Sequence, residues 1–217
     1  MLTISDELIK IILKSPLLEE ELREGLINLS ALARKIRPDL QKKLLKPVSE
    51  SAVLMALKRL IPKISKTLSI DKKISQKAGD LSVKSNLMEF TFKRSATTLN
   101  CIKSLLHELE HQRDSFITFT QGIYEITVIA DYNLTKNLKE IFSKEVLISS
   151  LNNLSAISIR LTPETVYTSG IYYSILKQLA WHNLNVIEVV STLTEFSIIL
   201  KKEDIGSGFS ILLKFLS

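Results

Sequence analysis

His107-Glu108-Leu109-Glu110-His111 spells HExxH. Two histidines one helical turn apart can share a zinc ion, and the intervening glutamate can activate a metal-bound water. Such a site also needs a third protein ligand and a cleft that excludes water. His182 is the only other histidine, and it falls at the end of a different predicted helix. The spacing predicts a helix from Thr98 to Gln112 with Ile102, Leu105, Leu106 and Leu109 facing inward. Both histidines then face solvent, so the motif is expected to be accidental, with no catalytic residue and no metal. Cys101, the single cysteine, excludes an intrachain disulfide and reads as a small packing residue of the same helix. No Gly-rich phosphate loop, nucleophile elbow or paired-carboxylate spacing accompanies it, so no cofactor is expected.

The remaining groups with chemical potential are cations. The net charge is +6, and it is unevenly placed. Residues 1–94 hold 19 Lys and Arg against 11 Asp and Glu, whereas residues 95–217 hold 10 against 12. An anionic partner such as nucleic acid is one consequence of such an excess; a solvated basic surface is the other. Residues 34–73 contain 12 Lys and Arg against Asp39, Glu50 and Asp71. A helix-turn-helix would use Leu29 to Ile36 as its first helix and Ser49 to Ile61 as its reading helix, with Lys72, Lys73 and Lys84 as a wing. Ser51, Lys58 and Arg59 on the exposed face would contact DNA. The link between those helices is longer than the usual turn, which leaves a helical packing or dimerisation domain as the alternative.

These groups need elements to position them. Residues 5–66 read as helical: Ser5-Asp6-Glu7 opens one helix, and a second follows Pro16. A short helix spans Leu32 to Ile36, and Pro38 ends it or starts a new turn. The helix opening at Ser49 carries Val53, Leu57, Leu60 and Ile64 as its apolar stripe and turns Ser51, Met55 and Lys58 outward. Residues 67–80 are Lys-rich and read as a linker or wing. Strands are expected at Val83 to Lys93, Phe116 to Thr120, Ile123 to Ala130, Val146 to Ser149, Ala156 to Leu161, Asn185 to Val190 and Phe196 to Leu200. Helices are expected at Thr98 to Gln112, Leu134 to Lys144, around Ile171 to Leu179, and Gly206 to Leu216. Gln121-Gly122 and Asn152-Asn153 read as turns. From about residue 86 the order repeats one βαββαβ unit twice, the second copy stopping before its last strand.

Thr168 to Leu200 resembles the ACT domain, a ligand-sensing module, and within that family the tandem ACT region of aspartokinases. Phe119-Thr120-Gln121-Gly122 followed by Ile123 to Ile129 resembles the first hairpin of that region. Ile187 to Thr192 followed by Glu195 to Ile198 resembles the second. The resemblance covers about residues 81–217. It implies tandem ferredoxin-like βαββαβ units there, so that with the all-helical, winged-helix or packing domain read upstream an α+β chain is expected. The helical residues upstream are too few to hold an amino-acid kinase. The missing strand would come from Leu81 to Lys84, in a nested arrangement, or from a partner chain.

The resemblance also implies a ligand site. Thr168, Ser169, Gly170 and Ile171, with Asn185, Val186 and Ile187 opposite, would hold a small amino acid through backbone amides and carbonyls. The first unit's Ala96, Thr97 and Thr98 lack a glycine. The implied protein is an amino-acid-sensing regulator, a homodimer that binds DNA in one version, or a ligand-free ACT scaffold acting as an interaction subunit. The start Met1-Leu2-Thr3-Ile4-Ser5-Asp6 lacks a basic, apolar leader, and no apolar run approaches about 18 residues, so a cytoplasmic protein without membrane contact is expected.

Overall fold

The computed structural model describes residues 3–66, 78–109 and 115–217, apart from the side chains of residues 13, 16, 17 and 64–66. The chain divides into two compact units, Met1–Ser69 and Ile70–Ser217.

The first unit is helical: α1 (Ile4–Leu13), α2 (Pro16–Arg23), α3 (Leu29–Leu44) and α4 (Glu50–Lys66). Thr3, not Ser5, caps α1, accepting from the Asp6 amide while Asp6 reaches back to the Thr3 amide. Leu8, Ile12, Leu22, Leu32, Ala33, Ile36, Leu40, Val53, Leu57 and Leu60 are buried together. The expected break at Pro38 does not occur, because α3 runs through it. Pro38 and Arg34, whose carbonyl loses its i+4 donor, both lie on the exposed face. Water can satisfy that carbonyl, and burial of Ile36 and Leu40 on the other face outweighs the kink. The expected first helix of a helix-turn-helix is thus one half of a longer helix. Lys72 and Lys73 lie outside the described residues.

The second unit is a six-stranded antiparallel sheet of order β2-β3-β1-β4-β6-β5. Its elements are β1 (Ala78–Lys93), α5 (Thr98–Glu108), β2 (Ile117–Gln121), β3 (Glu125–Asp131), α6 (Thr135–Ile141), β4 (Leu147–Leu161), α7 (Ile171–Trp181), β5 (Glu188–Ser191), β6 (Glu195–Lys201) and α8 (Ile205–Leu216). Among the described residues, 3₁₀ segments sit at Tyr132–Leu134, Pro163–Tyr167 and Lys202–Asp204.

Two of these strands differ from expectation. β1 starts at Ala78, inside the stretch read as a linker, and β4 runs unbroken through Asn152-Asn153. Each serves both repeats. Residues 87–93 of β1 pair with β3, while Ala78 to Ser85 pair with Ser155 to Leu161 of β4. The strand missing from the second repeat is therefore supplied by the same chain, in the nested arrangement. The halves change over at Asn86 (φ 66°) and Asn153 (φ 55°), where the pairing of β1 with β4 slips register. An inserted left-handed residue bends a strand, and asparagine takes that conformation more readily than most side chains.

The slip also sorts the faces. Met88, Phe90, Phe92, Ile126 and Val128 pack with Ile102 and Leu105 of α5 and Leu138 of α6. Ile157, Ile159, Phe196 and Ile198 pack with Ile171, Ile175 and Leu179 of α7 and Leu212 of α8. On the face away from the helices, Leu87 and Ile129 of the first repeat join Leu154, Ala156 and Ile199 of the second in one buried cluster. Of the residues of α5 expected inward, Ile102 and Leu105 enter the core, whereas Leu106 is 43% exposed.

Candidate functional site

The second repeat's loop is built by local bonds. After β4, the 3₁₀ turn Pro163–Tyr167 closes with the Thr165 amide and hydroxyl donating to the Thr162 carbonyl at 3.0 and 2.6 Å. The Thr168 amide donates to the Thr165 carbonyl at 2.9 Å, and the Thr168 hydroxyl to the Glu164 carbonyl at 3.3 Å. Gly170 then turns the chain into α7 with φ 88°, and its carbonyl accepts from the Ser174 amide at 3.0 Å. A side chain at Gly170 would be strained in that left-handed conformation. Ile171 is buried and Ser169 is exposed. The loop thus offers backbone groups at a helix start beside the exposed Ser169 side chain.

The other half of the expected site lies elsewhere. The Ile187 amide donates to the Ile199 carbonyl at 2.9 Å, and Ile199 pairs with Ala156. The loop leaves from Leu161, five residues along β4, or about 16 Å of strand. Asn185, Val186 and Ile187 therefore sit at the opposite end of the repeat from Thr168, Ser169, Gly170 and Ile171. One copy of the repeat does not bring the two sets together.

The first repeat's corresponding loop carries a feature the sequence did not reveal. The Ser95 and Thr97 hydroxyls donate to the Glu145 carboxylate at 2.6 and 2.5 Å, and the Cys101 thiol lies 3.8 Å from it. The hydroxyl bonds hold Glu145 below the usual carboxylate range, while burial and that carboxylate push the Cys101 thiol up. Glu145 lies 44 residues from Cys101, so no local pattern links them. Beside this loop a cleft of about 630 Å³ is lined by Lys93, Arg94, Tyr124 and Glu125, among others.

The other predicted sites are placed as follows. Ser51, Lys58 and Arg59 are all exposed on α4, and Val53, Leu57 and Leu60 of the expected stripe are buried; the side chain of Ile64, its fourth member, lies outside the described residues. Lys84 belongs to β1 and pairs with Asp131 at 3.2 Å, so it is no part of a wing. Dividing the charge at the structural boundary gives 13 Lys and Arg against 8 Asp and Glu for residues 1–69. The basic excess of the helical unit is thus smaller than a division at residue 94 implies. In the HExxH stretch, α5 ends at Glu108 and His111 lies outside the described residues. The Asn137 amide donates to Glu108 at 2.6 Å. No helix among the described residues is long and apolar enough to cross a membrane.

Solved structures share this architecture. Clostridium acetobutylicum aspartate kinase superposes with a TM-score of 0.54 at 14% identity, covering 65% of this chain and 35% of that one. The regulatory subunit of aspartate kinase from Thermus thermophilus, in a ligand-free form, gives 0.53 at 9% identity over 64% of this chain and 99% of its own. The corresponding subunit from Thermus flavus gives 0.54 at 9% identity, over 65% and 99%. The present chain therefore spans about a third of the Clostridium enzyme but nearly all of each regulatory subunit. Matches of this extent require the 70–217 unit. That unit has the tandem ACT fold of aspartate kinase regulatory regions. No family model matches the sequence, and no curated protein does.

Proposed function

We propose that the 70–217 unit is an amino-acid-sensing regulatory module that works as a homodimer. The observation carrying this reading is the nested ACT pair with a left-handed Gly170 at the start of α7. β5 is an edge strand of the sheet. A second copy related by a two-fold axis beside β5 would bring its Asn185–Ile187 to the end where Thr168–Ile171 of the first copy lie. The backbone groups of one copy and the strand start of the other would then enclose one ligand. Binding would shift the arrangement of the two copies only through a difference in affinity between two states.

The test is a thermal-shift screen of the full chain against the twenty amino acids. A ligand at one hundred times its Kd adds about 2.7 kcal/mol to the folded state. Gly170→Val should remove the shift; because the left-handed backbone strains the new side chain, the unliganded melting temperature also falls, and each variant's shift is read against its own unliganded value. No shift with any amino acid would favour the ligand-free scaffold instead.

Exposure of Ser51, Lys58 and Arg59 on one face of α4 supports a second reading, in which the helical unit binds duplex DNA. Its affinity for a random duplex would fall steeply with salt, and Lys58→Ala or Arg59→Ala would each lower the log–log slope by about one. Absence of binding at low salt removes this reading.

A further inference from the structure

A cavity of about 760 Å³ opens where β4 changes from one repeat to the other. Leu151, Leu154 and Ile187 supply its apolar wall, and Lys201, Lys202 and Glu203 stand along its polar side. Leu154 is buried and Leu151 is 38% exposed, so apolar surface reaches from the core to the opening. The Lys201 ammonium lies 3.8 Å from Glu203, and both side chains are largely solvated.

The first repeat shows what belongs at such a place. Leu87 stands opposite Asp131 just as Leu154 stands opposite Lys201. Lys84 and Leu151 also correspond, each lying across from the second residue after the matched leucine, Ala156 and Glu89 respectively. In the first repeat the Asp131 carboxylate lies 3.2 Å from the Lys84 ammonium and accepts from the Phe116 amide at 2.8 Å. The chain fills its own position there with an internal ion pair. In the second repeat the acid is replaced by Lys201 and the lysine by Leu151. The arrangement keeps one cation and gains apolar wall, but the acid has gone.

We infer that this cavity binds a small carboxylate with an apolar body. The ligand supplies the acid that the second repeat lacks: its carboxylate meets Lys201 and Lys202, and its body covers Leu151, Leu154 and Ile187. An amino acid with an apolar side chain and a simple branched fatty acid share this chemistry. They differ in the ammonium group, which Glu203 is placed to accept. The site lies outside the Thr168–Ile171 loop and does not depend on the reading given to that loop, although it shares Ile187 with the strand start set opposite the loop.

The experiment is calorimetric titration of the full chain with L-leucine and with isocaproate. Saturable millimolar or tighter binding of at least one is expected. Leu151→Trp, which fills the cavity from its exposed side, should abolish it. Lys201→Met, which keeps the stem and removes the charge, should weaken it about tenfold, the effect of losing roughly 1.4 kcal/mol. Gly170→Val should leave it unchanged. Leucine binding alone assigns the ligand as an amino acid; equal binding of both assigns a carboxylate without need of an ammonium group. Binding of neither probe overturns the proposal. So does binding that survives both cavity variants, or binding that only Gly170→Val removes.

Discussion

The two repeats of the 70–217 unit share a frame down to single hydrogen bonds. The Gly122 amide donates to the Glu125 carbonyl and the Thr192 amide to the Glu195 carbonyl, both at 2.8 Å. The Arg94 amide donates to the Tyr124 carbonyl and the Leu161 amide to the Thr194 carbonyl, again both at 2.8 Å. Thr91 meets Thr127 where Ser158 meets Ser197, hydroxyl to hydroxyl. Asn86 and Asn153 take the same left-handed turn. The strand-to-helix loops do not match. Residues 94–97 tie their hydroxyls to Glu145, whereas residues 162–170 are longer, wind through a 3₁₀ turn and end on Gly170. At the crossing, one repeat carries an internal ion pair and the other a cavity. Backbone pairing repeats because sheet geometry dictates it; side chains at the strand ends are free of that constraint and diverge.

The sharpest way to break this comparison is to ask whether the repeats are separable. Both share β1 and β4, so they should unfold together. Ile199→Ala, in the cluster that joins them, should cost about 3 kcal/mol. Chemical denaturation of this unit should remain a single transition when followed from either repeat. Two separated transitions would mean that the shared strands do not couple the repeats.

Next in size is the contrast between two glycines of α8. A β-carbon on Gly208 would come within 2.7 Å of Leu200 Cδ1 and 3.1 Å of Ile157 Cδ1, whereas one on Gly206 would meet nothing within 4 Å. Gly208→Ala should destabilise by about 2 kcal/mol through overpacking. Gly206→Ala should stabilise by about 0.5 kcal/mol through helix propensity. Equal melting temperatures for the two variants would show that α8 can shift away from the sheet.

The matched asparagines sharpen the comparison further. Asn86→Ala and Asn153→Ala should each cost about 1 kcal/mol, the penalty of a left-handed residue, and each Asn→Gly should cost less. A cost confined to one position, read from denaturation midpoints, would show that only one of the two bends is needed.

The smallest effect separates the repeats by pH. Glu89 is buried with Oε2 lacking a hydrogen bond, and Glu188 of the second repeat adds like charge. Burial first and that charge second raise its carboxyl above the ordinary value of 4.5. Ionised Glu89 therefore weakens the fold above its raised pKa. The penalty fades as pH falls through that value toward the unfolded one. Glu89→Gln should raise the melting temperature at about pH 8, with the gain shrinking toward pH 4.5. A gain that is constant with pH would place the effect in packing instead of charge.

Local periodicity determined the order of helices and strands, the buried stripe of α4 and the repeat of the βαββαβ unit, because those follow from which neighbours along one segment are apolar. Gly170 was legible through the resemblance, which implies a glycine in the loop before that helix; its left-handed conformation came from the structure. Asn152-Asn153 was misread, since a left-handed asparagine marks a hairpin turn and a strand bend equally. Only the partners across β1 distinguish the two. The Glu145 closure and the Lys84–Asp131 pair were invisible for want of any local pattern. The same holds for the distance between Thr168–Ile171 and Asn185–Ile187, which α7 and the strand register set together. The sequence by itself determined the elements and their apolar faces, through contacts within a few residues. Tertiary structure decided which strands are shared, which loop is closed and where a cavity remains, because those depend on groups tens of residues apart that meet only when the sheet forms.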